Sequence, residues 1–101
     1  MTNDLLQARL DFYLELRRSL GYKTYWPERV LRNFVAYLTS QGQAGPIRAE
    51  TAVDWARQAS ARCYRTGAAI RLRIVRGFLI HLKAFEPETE IPPPGLVAEP
   101  R

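Results

Sequence analysis

Arginines are the residues of this sequence whose type and spacing suggest chemistry. Five of them lie between positions 62 and 76, in the stretch RCYRTGAAIRLRIVR, and no acidic residue interrupts them. The planar guanidinium group of arginine forms paired hydrogen bonds with a phosphate or with the O6 and N7 edge of guanine. Because 13 of the 15 basic residues are arginine, the stretch indicates recognition of an anionic ligand.

Charge is unevenly distributed along the chain. The 101 residues carry a net charge of +5. No Asp or Glu occurs from Trp55 to Phe85, whereas residues 86–100 contain four Glu and no Lys or Arg. Residues 1–84 carry 14 basic and 6 acidic side chains, a net charge of +8. A basic body of this kind indicates an anionic partner, of which nucleic acid is the commonest.

Helical periodicity accounts for most of the chain, and no stretch alternates with the period of two that is typical of a strand. The sequence therefore predicts an all-α protein, a compact bundle of four main helices with a Pro-rich C-terminal tail. Turn signals place the helices near residues 4–20, 25–40, 49–59 and 61–84. The predicted organisation is one helical domain at residues 1–85 and an extended linker or tail at residues 86–101.

Each predicted helix has an apolar stripe that we expect to be buried. Gly21 is expected to close the first helix in a left-handed conformation, and Ser60 to cap the start of the fourth. The expected core residues are Leu5, Leu6, Phe12, Tyr13, Leu16 and Leu20 in the first helix, Val30, Leu31, Phe34, Val35 and Leu38 in the second, Ala52, Val53, Trp55 and Ala56 in the third, and Ala68, Leu72, Val75, Phe78, Leu79 and Leu82 in the fourth.

The arginines occupy a second face of the fourth predicted helix. At about 100° per residue, these polar residues fall on one arc beside the core face. The pattern therefore predicts a basic ridge about four turns long along this helix. Arg71 falls inside the apolar arc, so its charged end is expected to reach solvent along its stem. The ridge residues are Arg62, Arg65, Thr66, Arg73 and Arg76.

The second predicted helix repeats this design. Tyr25, Arg29 and Arg32 are spaced i, i+4 and i+7 opposite its core stripe, and Lys23, Thr24 and Trp26 cluster at its N-terminal end. Arg29 and Arg65 are expected to read bases, and Arg76 to contact a phosphate or form an internal salt bridge. The candidate nucleic-acid-binding residues are Lys23, Thr24, Tyr25, Arg29, Arg32, Arg62, Tyr64, Arg65, Thr66 and Arg73.

Two other interpretations of the basic faces remain open at the level of sequence. Arginine is a good helix former, so the faces are also what a merely solvated helix would present. Alternatively, the protein is a helical protein-interaction domain that docks its basic ridge on an acidic partner. Salt-dependent binding to duplex DNA distinguishes the nucleic-acid interpretation from the acidic-protein one.

The pattern LDFYLELRRSLGYKTYWPERVLRNFVAYLTSQG resembles the start of the core-binding domain of tyrosine recombinases, the phage-integrase family. That domain shows an aromatic helix, a Gly-Tyr turn, a Thr/Ser-rich entry and a Leu–x–x–Phe–x–x–Tyr–Leu helix, which here has Leu31, Phe34, Tyr37 and Leu38. The later stretch IRLRIVRGFLIHLKAFEPETEIPPPGLV resembles the fourth helix and exit linker of the same domain.

The resemblance implies a four-to-five-helix, SAM-like domain that clamps one face of double-stranded DNA through helices two and four. It also implies other recombinase protomers as partners of the full-length protein, with the isolated domain monomeric. The catalytic Arg, Lys, His-x-x-Arg and Tyr of the family belong to a following domain. We therefore expect no catalysis by this chain itself, no cofactor, and a full-length parent that is a tyrosine recombinase.

The remaining reactive residues suggest no further site. His81 is the only histidine and has no set of ligands at zinc-binding spacing, so we expect a surface or interface histidine and no metal. Cys63 is the only cysteine and cannot form an internal disulfide, which favours a reducing, cytoplasmic setting. Neither a signal peptide nor a stretch as long as a membrane span is recognised in the sequence, so no membrane association is expected.

Overall fold

A computed structural model of the chain describes residues 3–23, 25–42, 46–62 and 67–92. The described chain contains four helices, α1 (Asn3–Ser19), α2 (Tyr25–Ser40), α3 (Ala49–Arg62) and α4 (Ala68–Lys83), and no strand. Helix α4 packs against each of the other three helices, and α2 also packs against α1 and α3. The Cα radius of gyration is 12.9 Å, close to the value of about 13 Å expected for a compact chain of 100 residues. The all-α prediction is confirmed.

The cores of α2, α3 and α4 follow the predicted stripes. All five expected residues of α2 and all four of α3 are buried, and so are the expected residues of α4 except Ala68, which is half-buried. At the centre, the rings of Phe34 and Trp55 meet edge to face with their centroids 5.1 Å apart. The indole Nε1 of Trp55 donates a hydrogen bond to Oδ1 of Asn33 at 3.0 Å, so this buried polar group is satisfied.

The predicted stripe of α1 was wrong for four of its six residues. Its buried residues are Leu6, Leu10, Tyr13 and Leu14. The expected core residues Leu5, Phe12, Leu16 and Leu20 are instead exposed, at 37%, 51%, 40% and 66%. Two overlapping apolar stripes lie side by side on this helix, and local periodicity does not say which of them meets the neighbouring helices.

The position of helix α1 is set by its close contact with α4 at Gly77. A Cβ atom added at Gly77 would lie 3.2 Å from the hydroxyl oxygen of Tyr13. Glycine therefore lets the Tyr13 side chain lie against the α4 backbone, beside the ring of Phe78 at a centroid distance of 5.5 Å. This contact brings the Leu6–Leu14 side of α1 toward the core and leaves its other apolar stripe outside.

The turn after α1 follows its predicted chemistry. Gly21 has a φ of +89°, a left-handed conformation that costs glycine little. The N–H of Gly21 donates to the carbonyl of Arg18 at 3.0 Å, and the N–H of Tyr22 donates to that of Arg17 at 3.1 Å. These two bonds form a Schellman motif, which satisfies carbonyls at the helix end.

The predicted start of the fourth helix was wrong. Helix α3 continues through Ser60 to Arg62, and α4 begins only at Ala68. Gly67 precedes it with φ −66° and ψ 165°, an extended conformation that lies outside the helical region. Arg62 is therefore on α3, and the single four-turn ridge that would join it to Arg73 along one helix does not form.

The chain after α4 folds back over the bundle as a strap, residues 86–92. Thr89 is fully buried, and Ile91 packs against the core. The backbone N–H of Glu90 donates to the carbonyl of Ile47 at 2.9 Å, and Lys83 Nζ donates to the carbonyls of Pro87 and Thr89 at 3.0 and 2.9 Å. The sequence predicted an extended segment from residue 86, but these seven residues are held against the helices. The division at residue 85 remains a prediction.

Arg76 belongs to this strap contact. Its Nε donates a hydrogen bond to the carbonyl of Pro92 at 3.0 Å. The sequence predicted a phosphate contact or an internal salt bridge for Arg76, whereas the structure gives it a backbone carbonyl as partner. The prediction that the charged end of Arg71 reaches solvent was also wrong. Arg71 is only 9% exposed, and its guanidinium lies 6.0 Å from the ring centre of Trp55.

We expect Glu90→Ala to destabilise the protein by about 0.5–1.5 kcal/mol, the net contribution of one hydrogen bond. Oε1 of Glu90 accepts from the backbone N–H of Ala49 at 3.0 Å, at the first turn of α3, and Oε2 lies 3.9 Å from Nε of Arg48. Urea unfolding followed by circular dichroism measures the change. Glu88→Ala, an exposed position in the same strap, is the control and should stay within about 0.5 kcal/mol of wild type. Equal effects of the two substitutions would contradict the role of Glu90.

An aromatic cluster fills the junction of α1 with the end of α4. The His81 ring lies 5.7, 5.0 and 5.3 Å from the ring centres of Phe12, Tyr13 and Phe85. The guanidinium of Arg9 lies over Phe85, 4.1 Å from its ring centre. The Nε2 atom of His81 is buried without a hydrogen-bond partner among the described residues. Burial, with a smaller contribution from the charge of Arg9, lowers the pKa of His81 below its ordinary value.

The stability of the protein should therefore fall as the pH falls below about 6.5. In this range the unfolded chain takes up a proton on His81 before the folded protein does, so acid favours unfolding until the pH is below the folded-state pKa. The measurement is the urea midpoint at pH 7.5 and at pH 5. His81→Phe, which keeps an aromatic ring at this position, should lose less stability over the same interval. An identical pH dependence in both proteins would show that His81 does not contribute.

Candidate nucleic-acid interface

Helix α2 presents a face that combines aromatic and basic side chains. Tyr25, Arg29 and Arg32 lie on the side of the helix opposite its buried stripe, as their spacing predicts. Together with Glu28 and Asn33 they line an open concavity of about 390 Å³. We call these five residues the α2 face. Of the sequence-predicted candidates, the structure brings three together here.

Arg29 is the positive charge of the α2 face that no acidic residue of the described chain compensates. Its Nη1 donates to the Tyr25 hydroxyl at 3.2 Å, and its guanidinium lies 5.8 Å from the ring centres of both Tyr25 and Trp26. Within the described residues, no carboxylate lies within salt-bridge distance of Arg29. Its charge is therefore available to a ligand.

Arg32 has a different role from the one its spacing predicts. Its Nη2 donates to Asp11 at 2.8 Å, its Nε to Glu28 at 3.3 Å and its Nη1 to Gln7 at 3.3 Å. The hydrogen bond to Asp11 raises the pKa of Arg32 above its ordinary value, with Glu28 contributing in the same direction. Because Asp11 and Gln7 are on α1, Arg32 fastens α2 to α1, and its charge is already matched.

Glu28 is the acidic member of the α2 face, and two arginines share it. Arg18 pairs with its Oε1 atom and Arg32 with its Oε2 atom. Arg18 also lies 3.8 Å from Glu15 on its own helix. A carboxylate held between two guanidinium groups repels an approaching anion less than a free one does. Glu28 therefore leaves the positive field of Arg29 largely intact.

The remaining sequence-predicted candidates lie on other elements or outside the described residues. Lys23 is exposed two residues before α2, and Arg73 is exposed on α4. Arg62 is the last residue of α3. Thr24, Tyr64, Arg65 and Thr66 lie outside the described residues. The described members of the two predicted basic clusters thus lie just before α2 and on α2, α3 and α4.

Two aromatic residues near the α2 face are absent from the predicted set of binding residues. Trp26 is 55% exposed and Tyr22 is 54% exposed. The ring of Tyr22 supports the guanidinium of Arg17, which lies 4.2 Å from its centre. Helical spacing gave no signal for Trp26, because it lies four residues before Val30, at the edge of the buried stripe.

Within the described part of the chain, no three His, Cys, Asp or Glu side chains come close enough together to hold a metal ion. None of its helices is both long enough and apolar enough to cross a membrane.

The chain is similar to one curated protein named "Putative integrase/recombinase y4rB", from Sinorhizobium fredii (strain NBRC 101917 / NGR234). The two are 40% identical over 85 residues, which cover 84% of this chain and 26% of that protein. The chain thus spans about a quarter of the length of this relative. No protein-family model and no solved structure matches the chain. The similarity supports a relationship with the integrase and recombinase proteins.

Proposed function

We propose that this chain is a DNA-binding domain of the core-binding type from a site-specific tyrosine recombinase. In this proposal it clamps one face of a double-stranded recombination site and contributes affinity and position, while the strand-cleaving residues belong to another part of the full-length protein. Other protomers of the recombinase are its partners in that context, the isolated domain is a monomer, and its compartment is the cytoplasm.

The single observation that carries the proposal is the similarity of 84% of the chain to the Sinorhizobium integrase/recombinase. The order of motifs quoted from the sequence supports the narrower assignment to a core-binding domain. The uncompensated charge of Arg29 on an exposed helix face supports DNA as the ligand, because phosphate contacts supply most of the affinity of such domains.

Helices α2 and α4 are the proposed DNA-contacting elements. Exposed Arg29 and Arg73 extend from these two helices, and Lys23 precedes α2. Arginine on a helix binds a phosphate or the edge of a guanine, and the hydroxyl of Tyr25 is a donor to the backbone. Arg32 supports this surface indirectly, because its ion pairs with Asp11 and Glu28 hold α2 on α1.

Titration of the whole chain into a labelled DNA duplex at several salt concentrations tests the proposal. We expect a dissociation constant of about 10⁻⁴ to 10⁻⁶ M near physiological salt and tighter binding as salt is lowered, because bound cations are released from the DNA. The same titration with polyglutamate provides the comparison. Binding to polyglutamate without binding to duplex would replace the proposal with an interaction domain for an acidic protein.

A further inference from the structure

Tyr25, Trp26 and Arg29 form an exposed aromatic cluster at the start of α2. The rings of Tyr25 and Trp26 meet edge to face at 5.8 Å and are 66% and 55% exposed. The guanidinium of Arg29 is 5.8 Å from each ring centre. Tryptophan is buried on average, as the other tryptophan of this chain, Trp55, is at 2% exposure.

The fold does not require these rings. The buried stripe of α2 begins at Val30, and neither Tyr25 nor Trp26 belongs to the core. Arg29 reaches toward solvent across both rings and has no carboxylate partner among the described residues. Two exposed aromatic rings, and one arginine without a carboxylate partner among the described residues, therefore lie next to the open concavity of the α2 face.

We propose that Tyr25, Trp26 and Arg29 are a stacking site for an unpaired base of single-stranded DNA. This inference rests on the proposed DNA-binding function and adds a second kind of DNA contact to it. Aromatic side chains stack on the faces of bases, and a neighbouring arginine holds the phosphate or lies over the base. In a duplex the base faces are covered by their neighbours, so only an unpaired or extruded base offers this surface.

The charge around the cluster fits a nucleic acid strand. Lys23 precedes the cluster, and Arg29 lies within it. The nearest acidic residue of the α2 face, Glu28, is engaged by Arg18 and Arg32. A methylated or otherwise cationic peptide, another ligand that aromatic clusters bind, would be repelled by Arg29.

The test compares two single-stranded oligonucleotides of equal length, an oligothymidylate and an abasic strand that carries the same phosphates without bases. Binding to the whole chain is followed by anisotropy of a label on the oligonucleotide, and quenching of the exposed Trp26 is followed by fluorescence. We expect the wild-type chain to bind the oligothymidylate about 5- to 100-fold more tightly than the abasic strand, which corresponds to one base stack. We also expect its emission to be quenched.

Two variants with the same introduced residue provide the matched comparison. Trp26→Leu should lose most of the preference for the strand with bases and retain binding to duplex. Phe12→Leu removes a similarly exposed ring, at 51%, from α1, where Phe12 packs on His81 and Phe85, and should keep the preference. Circular dichroism verifies that both variants are folded.

Three outcomes would overturn the stacking site. Equal affinity of the wild type for the two strands means that only phosphates are bound. A preference that survives in Trp26→Leu places the base elsewhere. Quenching by a proline-rich peptide but not by the oligothymidylate assigns the cluster to a protein partner. In all three, duplex binding by the wild type leaves the proposed function standing, whereas failure to bind any DNA removes both.

Discussion

Replacement of Trp55 with alanine is expected to destabilise the protein by about 3–5 kcal/mol, as removal of a large buried aromatic side chain does. The indole is 2% exposed, packs edge to face on Phe34 and donates a hydrogen bond to Asn33. The substitution leaves a cavity where α2, α3 and α4 meet and removes the ring beside the Arg71 guanidinium. Because small domains have about 5–15 kcal/mol of stability, the loss is a large fraction of the whole.

The other tryptophan supplies the control for this measurement. Trp26→Ala removes a 55% exposed indole and should change the free energy of unfolding by no more than about 0.5 kcal/mol. Urea unfolding of the two variants, with equal slopes against denaturant, gives the comparison. A large loss in Trp26→Ala would mean that this ring has a structural role, and it would remove the reason for proposing it as a binding residue.

The second large effect concerns the salt dependence of DNA binding. A variant with Arg29, Arg62, Arg65 and Arg73 all changed to Ala should bind duplex more weakly and with a flatter dependence on salt. Each lost phosphate contact lowers the slope of log K against log salt by about 0.9, so the slope falls by about 1.8 if Arg29 and Arg65 read bases and by about 3.6 if all four arginines contact phosphates. The slope is measured by titrating labelled duplex at four or more salt concentrations.

Single substitutions separate a local contact from a general loss of charge. Arg29→Ala and Arg48→Ala each remove one positive charge, but Arg48 is paired with Glu90 on the strap side of the bundle. We expect Arg29→Ala to reduce the slope and Arg48→Ala to leave it unchanged. Equal slopes for wild type and the fourfold variant, with both folded, would show that the arginine faces do not contact DNA.

The cores of α2, α3 and α4 were predictable from the sequence. Each of these helices has one dominant apolar stripe, so the helical period and the requirement to bury that stripe predict which residues are buried. Gly21 was also predictable, because the chain needs a left-handed residue after α1 and glycine adopts it most easily. The exposure of Tyr25 and Arg29 follows from the same periodicity, because both residues lie on the side of the helix opposite its apolar stripe.

The register of α1 and the start of α4 were decided by tertiary structure. On α1, two adjacent stripes compete, and the close approach of Tyr13 to Gly77 selects the one that contains Leu10 and Leu14. Before α4, the apolar pattern of the sequence is continuous from residue 61, but α3 ends at Arg62 and an extended Gly67 precedes the start of α4 at Ala68. Glycine permits this break without requiring it, so local sequence did not reveal it.

For the charges of the candidate site as well, the sequence determined some features and the tertiary structure decided others. The sequence by itself determined that the protein is basic, rich in arginine and helical, because composition and period are local properties. Only the tertiary structure decided that Arg32 is matched by Asp11 and that Arg76 donates to the carbonyl of Pro92, while Arg29 has no carboxylate partner among the described residues. The partners of Arg32 and Arg76 are 21 and 16 residues away along the chain, and contacts of that separation form only when the helices pack.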